Sequence, residues 1–197
     1  ESSDEDIIRF DLAGSEQWRM RGARLENTNS GLSVFIGQEA GQTDDLSNNQ
    51  NVFVGYKSGR NNSTGQLNTA IGSNSLANNT SGNYNTSTGS YSLSRNTTGQ
   101  QNSAYGDYSL GSNTTGAYNA AYGLGSLRLN TSGILNAASG FYALFSNTTG
   151  NYNSAFGGNA LRLNTTGTRN AAIGYATLYF NTTGYRNSGS GMYALYR

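Results

Sequence analysis

An all-β parallel β-roll or β-solenoid is the fold class this sequence predicts, and three observations carry the prediction. Asn-(Ser/Thr)-(Ser/Thr)-Gly occurs eight times, with its first Asn at Asn62, Asn79, Asn96, Asn113, Asn130, Asn147, Asn164 and Asn181, each seventeen residues after the last. Further columns keep the same step, from Asn68 to Asn187, from Gly72 to Gly191 and from Leu76 to Leu195, and no insertion breaks the register. A short, rigid period is the mark of coils stacked one on the next. Finally, each unit is rich in Thr, Ser, Tyr, Asn and Gly. Each Gly inside a helix costs about 1 kcal/mol relative to Ala, so strands and turns prevail over helix.

The elements follow in order. Residues 1–31 read as an N-terminal β-hairpin: Ile8, Phe10 and Leu12 alternate, Ala13-Gly14-Ser15 can turn, and Trp18 and Met20 alternate on the return. This hairpin is expected to cap the first coil, with Trp18 as a plug, because a bare solenoid end leaves an unpaired strand edge. Residues 32–61 hold two irregular coils, in which Ser33-Val34-Phe35-Ile36-Gly37 and Asn51-Val52-Phe53-Val54-Gly55 stand eighteen residues apart. Residues 62–197 form the regular array. About ten coils result, each expected to contain two short strands and two turns, and at a spacing of about 4.8 Å they build a rod on the order of 50 Å long. Asn-Thr-Thr-Gly supplies one turn, its Gly expected to permit positive φ and its Asn to bond local backbone.

Volume exchange between two columns indicates what fills the coil. Phe35 and Phe53 are followed six residues later by Gly41 and Gly59, whereas Ala70, Ala104, Ala121, Ala138, Ala155 and Ala172 are followed by Leu. Large with small becomes small with large, as expected when two side chains face each other in a close-packed interior. Val34-Phe35-Ile36 and Val52-Phe53-Val54 are apolar at every position, which predicts strands covered on both faces. The coil interior covers one face, and another copy of the chain is the simplest cover for the other.

Composition narrows the chemistry. Cys, His and Pro are absent, which removes disulfides, thiolate and imidazole metal sites and every catalytic arrangement built on His; no cofactor and no enzymatic activity are expected. Up to Asp45, ten acids stand against four arginines; beyond it, Asp107 alone stands against Lys57 and seven arginines. A basic array behind an acidic leader suits either plain solubility or contact with polyanions. Asp4-Glu5-Asp6 and Asp44-Asp45 lack the ligand spacing of a calcium loop, so no metal site is expected. Each Asn-Thr-Thr is formally a glycosylation acceptor, yet the perfect register favours a ladder of Asn side chains at the turns. No apolar run approaches the roughly 20 residues that span a bilayer, so no direct membrane insertion by this segment is expected.

Asn68-Thr69-Ala70-Ile71-Gly72, Asn170-Ala171-Ala172-Ile173-Gly174 and Ser33-Val34-Phe35-Ile36-Gly37 resemble the repeat of trimeric autotransporter adhesin heads and related bacterial and phage fibre proteins. The resemblance spans about residues 32–197. It implies a left-handed parallel β-roll, a homotrimer and display on a bacterial surface fibre. The seventeen-residue period is longer than is common in those heads, so the Asn-Thr-Thr-Gly turn is an enlargement.

Ligand candidates come from columns that vary while the frame stays fixed. One column, before the second Asn, includes Tyr84, Tyr118, Tyr152, Arg169 and Arg186; another, after the Leu, includes Arg128, Arg162 and Tyr179. Aromatic rings and arginines on a rigid rod can stack on sugars and hold anionic groups, or can fill seams between chains. The function expected is an adhesive or structural segment of a trimeric extracellular fibre that meets cell-surface glycans or proteins, with no nucleic-acid partner. A phage or injection-system tail fibre is the alternative, and a polysaccharide-processing enzyme on the same scaffold a third; the lack of carboxylates in the array counts against the enzyme.

Overall fold

In the computed structural model, residues 31–197 are described in full, together with the backbone of residues 7–12, 15–21 and 24–27. Two sheets are present. The first is antiparallel, in the order β1 (Ile7–Leu12), β2 (Ser15–Arg21), β3 (Arg24–Asn27). β1 and β2 form the expected hairpin, with the register slipping between Phe10 and Asp11, while β3 is a strand that side-chain alternation did not reveal. The Ala13-Gly14 turn, the Trp18 side chain and Asp4-Glu5-Asp6 lie outside the described residues.

The second sheet is the solenoid. Ten parallel strands, β4 (Val34–Ile36), β5 (Val52–Val54), β6 (Thr69–Ile71), β7 (Thr86–Thr88), β8 (Ser103–Tyr105), β9 (Ala120–Tyr122), β10 (Ala137–Ser139), β11 (Ser154–Phe156), β12 (Ala171–Ile173) and β13 (Ser188–Ser190), pair strictly in chain order. Register is kept residue for residue, so Ala104 lies beside Ala121 and Tyr105 beside Tyr122. Adjacent coils therefore superpose their side chains, and one sequence column becomes one line along the rod.

Each coil contains one strand where two were expected. The side opposite the strands is a run of turns that still bonds coil to coil, with Tyr91 N–H donating back to Ser73 and Leu93 N–H donating forward to Ser109. It is not extended because residues in the left-handed region recur there, at φ 55° for Tyr91 and 48° for Leu93. Such residues turn the chain too sharply for a ladder of extended backbone.

The interior matches the volume argument. Leu76, Leu93, Leu110, Leu127, Leu144 and Leu161 are fully buried against Ala70, Ala104, Ala121, Ala138, Ala155 and Ala172. In the first coils Phe35 and Phe53 stack at 5.4 Å, and a Cβ at Gly41 would stand 2.7 Å from the Phe35 ring. A leucine at that point is excluded once the facing residue is phenylalanine.

Two asparagine ladders are buried beside this Leu and Ala interior. In the first, each Nδ2 from Asn79 to Asn181 donates to Oδ1 of the Asn one coil earlier at 2.7–3.0 Å. In the second, each backbone N–H from Asn68 to Asn187 donates to the preceding Asn Oδ1 at 2.9–3.1 Å. The ladders meet at the turn glycine: Gly82 carbonyl oxygen accepts from Asn68 and Asn79, both at 2.9 Å. That glycine does not have the expected positive φ. It is required because an added methyl would collide with Asn79 Oδ1 and the Gly99 carbonyl. Positive φ falls instead on the glycine after each strand, at 123° for Gly106 and Gly123.

Candidate functional site

Buried amides with fixed partners leave the array's surface chemistry to the columns between them. The first-ladder Asn side chains are fully buried up to Asn164, and Asn113 Nδ2 is committed to Asn96 Oδ1 at 2.8 Å and Gly116 O at 2.9 Å. A glycan on such a nitrogen would have to break both bonds, so these acceptor motifs serve the ladder.

The eight sequence-predicted ligand residues fall into two separate groups. Tyr84, Tyr118, Tyr152, Arg169 and Arg186 project outward from the turn that links the two ladders, all exposed, with Tyr84 at 59%. Tyr84, Tyr118 and Tyr152 occupy alternate coils, so at about 4.8 Å per coil their rings recur every 10 Å or so. At the far end this group closes on itself: the Arg169 guanidinium lies 5.3 Å from the Tyr152 ring centre and 5.6 Å from that of Tyr185, and Arg186 lies 4.7 Å from Tyr185. Arg169 also donates to the Tyr185 hydroxyl at 3.1 Å.

Arg128, Arg162 and Tyr179 lie half-buried on the opposite side, on the face of left-handed turns. They interleave with a tyrosine column that sequence reasoning passed over: Arg128 lies 4.6 Å from the Tyr108 ring centre, and Arg162 lies 5.0 Å from Tyr142 and 5.9 Å from Tyr179. Cation–π contacts of this kind hold each arginine flat against its ring.

Toward the N-terminal end of that same face the side chains shrink. Where Arg128, Phe145, Arg162 and Tyr179 stand in later coils, earlier coils carry Ala77, Ser94 and Gly111. Their small size opens a groove of about 450 Å³, walled on one side by Tyr91 and Tyr108 and on the other by Asn78, Arg95 and Ser112, and closed at one end by Arg128. Tyr91 and Tyr108 are parallel within 3° and 5.1 Å apart. Every groove column repeats at the same seventeen-residue step, so the signal was in the sequence; missing was the knowledge that three separate columns share one face.

On both groups the positive charge is uncompensated among the described residues. Lys57 and Arg60 pair with Glu39, at 4.0 and 3.0 Å. Among the described residues no carboxylate pairs with Arg95, Arg128, Arg162, Arg169 or Arg186. Asp107, the array's one acid, accepts at 3.1 Å from the N–H of Ser90, the residue of the same column one coil earlier.

Asp44 and Asp45 are engaged with amides. Asp44 Oδ2 accepts from the leading amides of both ladders, Asn51 and Asn62, each at 3.1 Å. Ser47, through its hydroxyl and its N–H, holds the Asp45 carboxyl below the ordinary carboxylate range. No group of three or more acids that could hold a metal ion exists among the described residues, and no helix among them is long and apolar enough to cross a membrane.

No protein-family model, curated protein or solved structure matches the chain. What the fold defines is a parallel β-solenoid repeat protein.

Proposed function

We propose that the chain is a segment of an extracellular fibre, carried on a bacterial surface, that assembles as a homotrimer and acts by binding cells or glycans. The trimeric adhesin heads whose repeat this sequence resembles support the reading from the sequence side. From the structure, one observation carries it. The outward residues of the strands form a mostly apolar line, through Ile36, Val54, Ile71, Tyr105, Tyr122, Phe156 and Ile173, interrupted by Thr88, Ser139 and Ser190, and its large side chains stay exposed, with Ile36 at 51% and Ile173 at 57%. A long apolar strip on a rigid rod marks a surface that another chain covers, and covering it would bury the second face of the doubly apolar strands β4 and β5. The strip lies on the strand side, so such packing would leave the arginine-rich turn face available for ligands.

The test is the mass in solution. Sedimentation equilibrium is expected to give three times the chain mass, and Tyr122→Glu with Ile173→Glu is expected to give a folded monomer with unchanged far-ultraviolet circular dichroism. A monomeric wild-type chain would refute the assembly. Adhesion of the trimer to cells, compared with the monomeric double variant, tests the binding role.

A further inference from the structure

We infer that the groove on the turn face between Tyr91 and Arg128 is a binding site for an acidic oligosaccharide, one bearing about one carboxylate per disaccharide. The inference deepens the adhesive reading above and rests on it for biological sense, but it does not depend on the trimer.

Shape comes first. The groove runs along the rod because it is made by columns, and it lies where the column after the buried Leu is small, at Ala77, Ser94 and Gly111. Two coils further on, Phe145 fills the equivalent space. Stacking of Tyr91 on Tyr108 covers the ring faces that they turn to each other. Sugar rings therefore are not sandwiched between successive tyrosines, and an extended chain lies along the tyrosine wall instead.

The lining is the second argument. Ser112 and the tyrosine hydroxyls offer both donors and acceptors, and Asn78, which accepts from Asn61 and donates to Ser94 O, keeps one N–H to give; this suits a ligand dense in hydroxyl groups.

Charge decides the class. Arg95 is exposed and has no ion pair among the described residues, and Arg128 is held in place over Tyr108. They belong to coils two steps apart, a separation of about 10 Å at the coil spacing, close to the length of a disaccharide. Arginine presents a planar fork that matches a carboxylate. Two cations at that spacing fit a polymer with one charge per two sugars. They fall well short of the six to ten phosphate contacts, roughly, that a nucleic-acid site makes.

The experiment is calorimetric titration of the 197-residue chain with an unsulfated hexasaccharide of alternating uronic acid and N-acetylhexosamine. A neutral hexasaccharide and a single-stranded DNA hexanucleotide serve as comparisons. The uronate sugar is expected to bind, with a salt dependence corresponding to about two ionic contacts, and the two comparison ligands at least tenfold more weakly. Gly111→Phe, which fills the groove as Phe145 does in its own coil, and Arg95→Gln are each expected to weaken binding at least tenfold with unchanged circular dichroism. Arg95→Gln removes only an exposed charge and keeps the test valid if Gly111→Phe fails to fold. Absence of binding, DNA binding as tight as the uronate sugar, or binding that survives Arg95→Gln would each overturn the groove assignment. None of these outcomes would touch the mass measurement that tests the fibre assembly.

Discussion

At the residue scale, the left-handed positions explain which side chains the repeat tolerates. The Tyr84, Tyr91 and Leu93 columns all sit at φ near 50–60°, and among the described residues no Val, Ile or Thr occupies a positive-φ position, although Thr is abundant elsewhere in the chain. β-branched residues are strongly disfavoured there. The Tyr84 column is thus outward-facing and variable, but variable only among residues that accept this backbone. Leu127, fully buried at φ 50°, separates volume from backbone. Leu127→Ala is expected to lose roughly 2–5 kcal/mol through the cavity it leaves. Leu127→Ile keeps the volume, yet is expected to lose more than the ~1.5 kcal/mol ceiling usual for isosteric core exchanges. Thermal and urea unfolding measure both, and an Ile variant as stable as wild type would refute the backbone argument.

At the element scale, a coil is held by a short strand and by amides that replace the second strand. Asn113 shows the stakes: it donates to Asn96 Oδ1 and Gly116 O and accepts from Asn130 Nδ2 at 2.8 Å. Asn113→Ala strands partners on both sides in a buried site, where each unsatisfied group costs about 1–3 kcal/mol. A loss of roughly 2–5 kcal/mol is therefore expected in urea unfolding, with hydrogen exchange accelerated first in the coils flanking residue 113. The existence of a ladder was legible in the perfect Asn register of the sequence. The role of the turn glycine was not, because its constraint is a carbonyl from the next coil and two converging amides, none of which is local.

At the scale of the whole molecule, the ladders give the solenoid a direction. In the first ladder every Asn Nδ2 donates to the coil before it, and in the second every Asn backbone N–H does, so both ladders present donors at the N-terminal end, where Asp44 accepts from Asn51 and Asn62 at 3.1 Å. A carboxylate at that end complements these donors as an acid does at a helix N-terminus. Asp44→Asn removes the charge and sets an amide against two donors. The first coils, about residues 31–68, are expected to exchange hydrogen at least tenfold faster while coils beyond residue 130 stay unchanged, since coupling in a solenoid runs between neighbours. Equal acceleration along the rod would refute the cap. The uneven charge of the two parts of the chain takes on a second meaning here: one acid of the leader ends the core, while among the described residues the arginines beyond Arg60 have no ion pair.

The sequence by itself determined the solenoid, its period, the Leu column facing small residues and the exchange with Phe35 and Phe53, because each of these recurs in phase and depends on volume, which composition reveals. The tertiary structure alone decided that a coil has one strand, that glycine is demanded at the turn by contact and not by φ, and that the predicted ligand residues divide between two sides of the rod. It alone brought the Tyr91, Gly111 and Arg95 columns together as a groove. These outcomes depend on which way each side chain points around the coil. That direction is set by the left-handed residues and by the neighbouring coil, neither of which is visible in the spacing of letters along one chain.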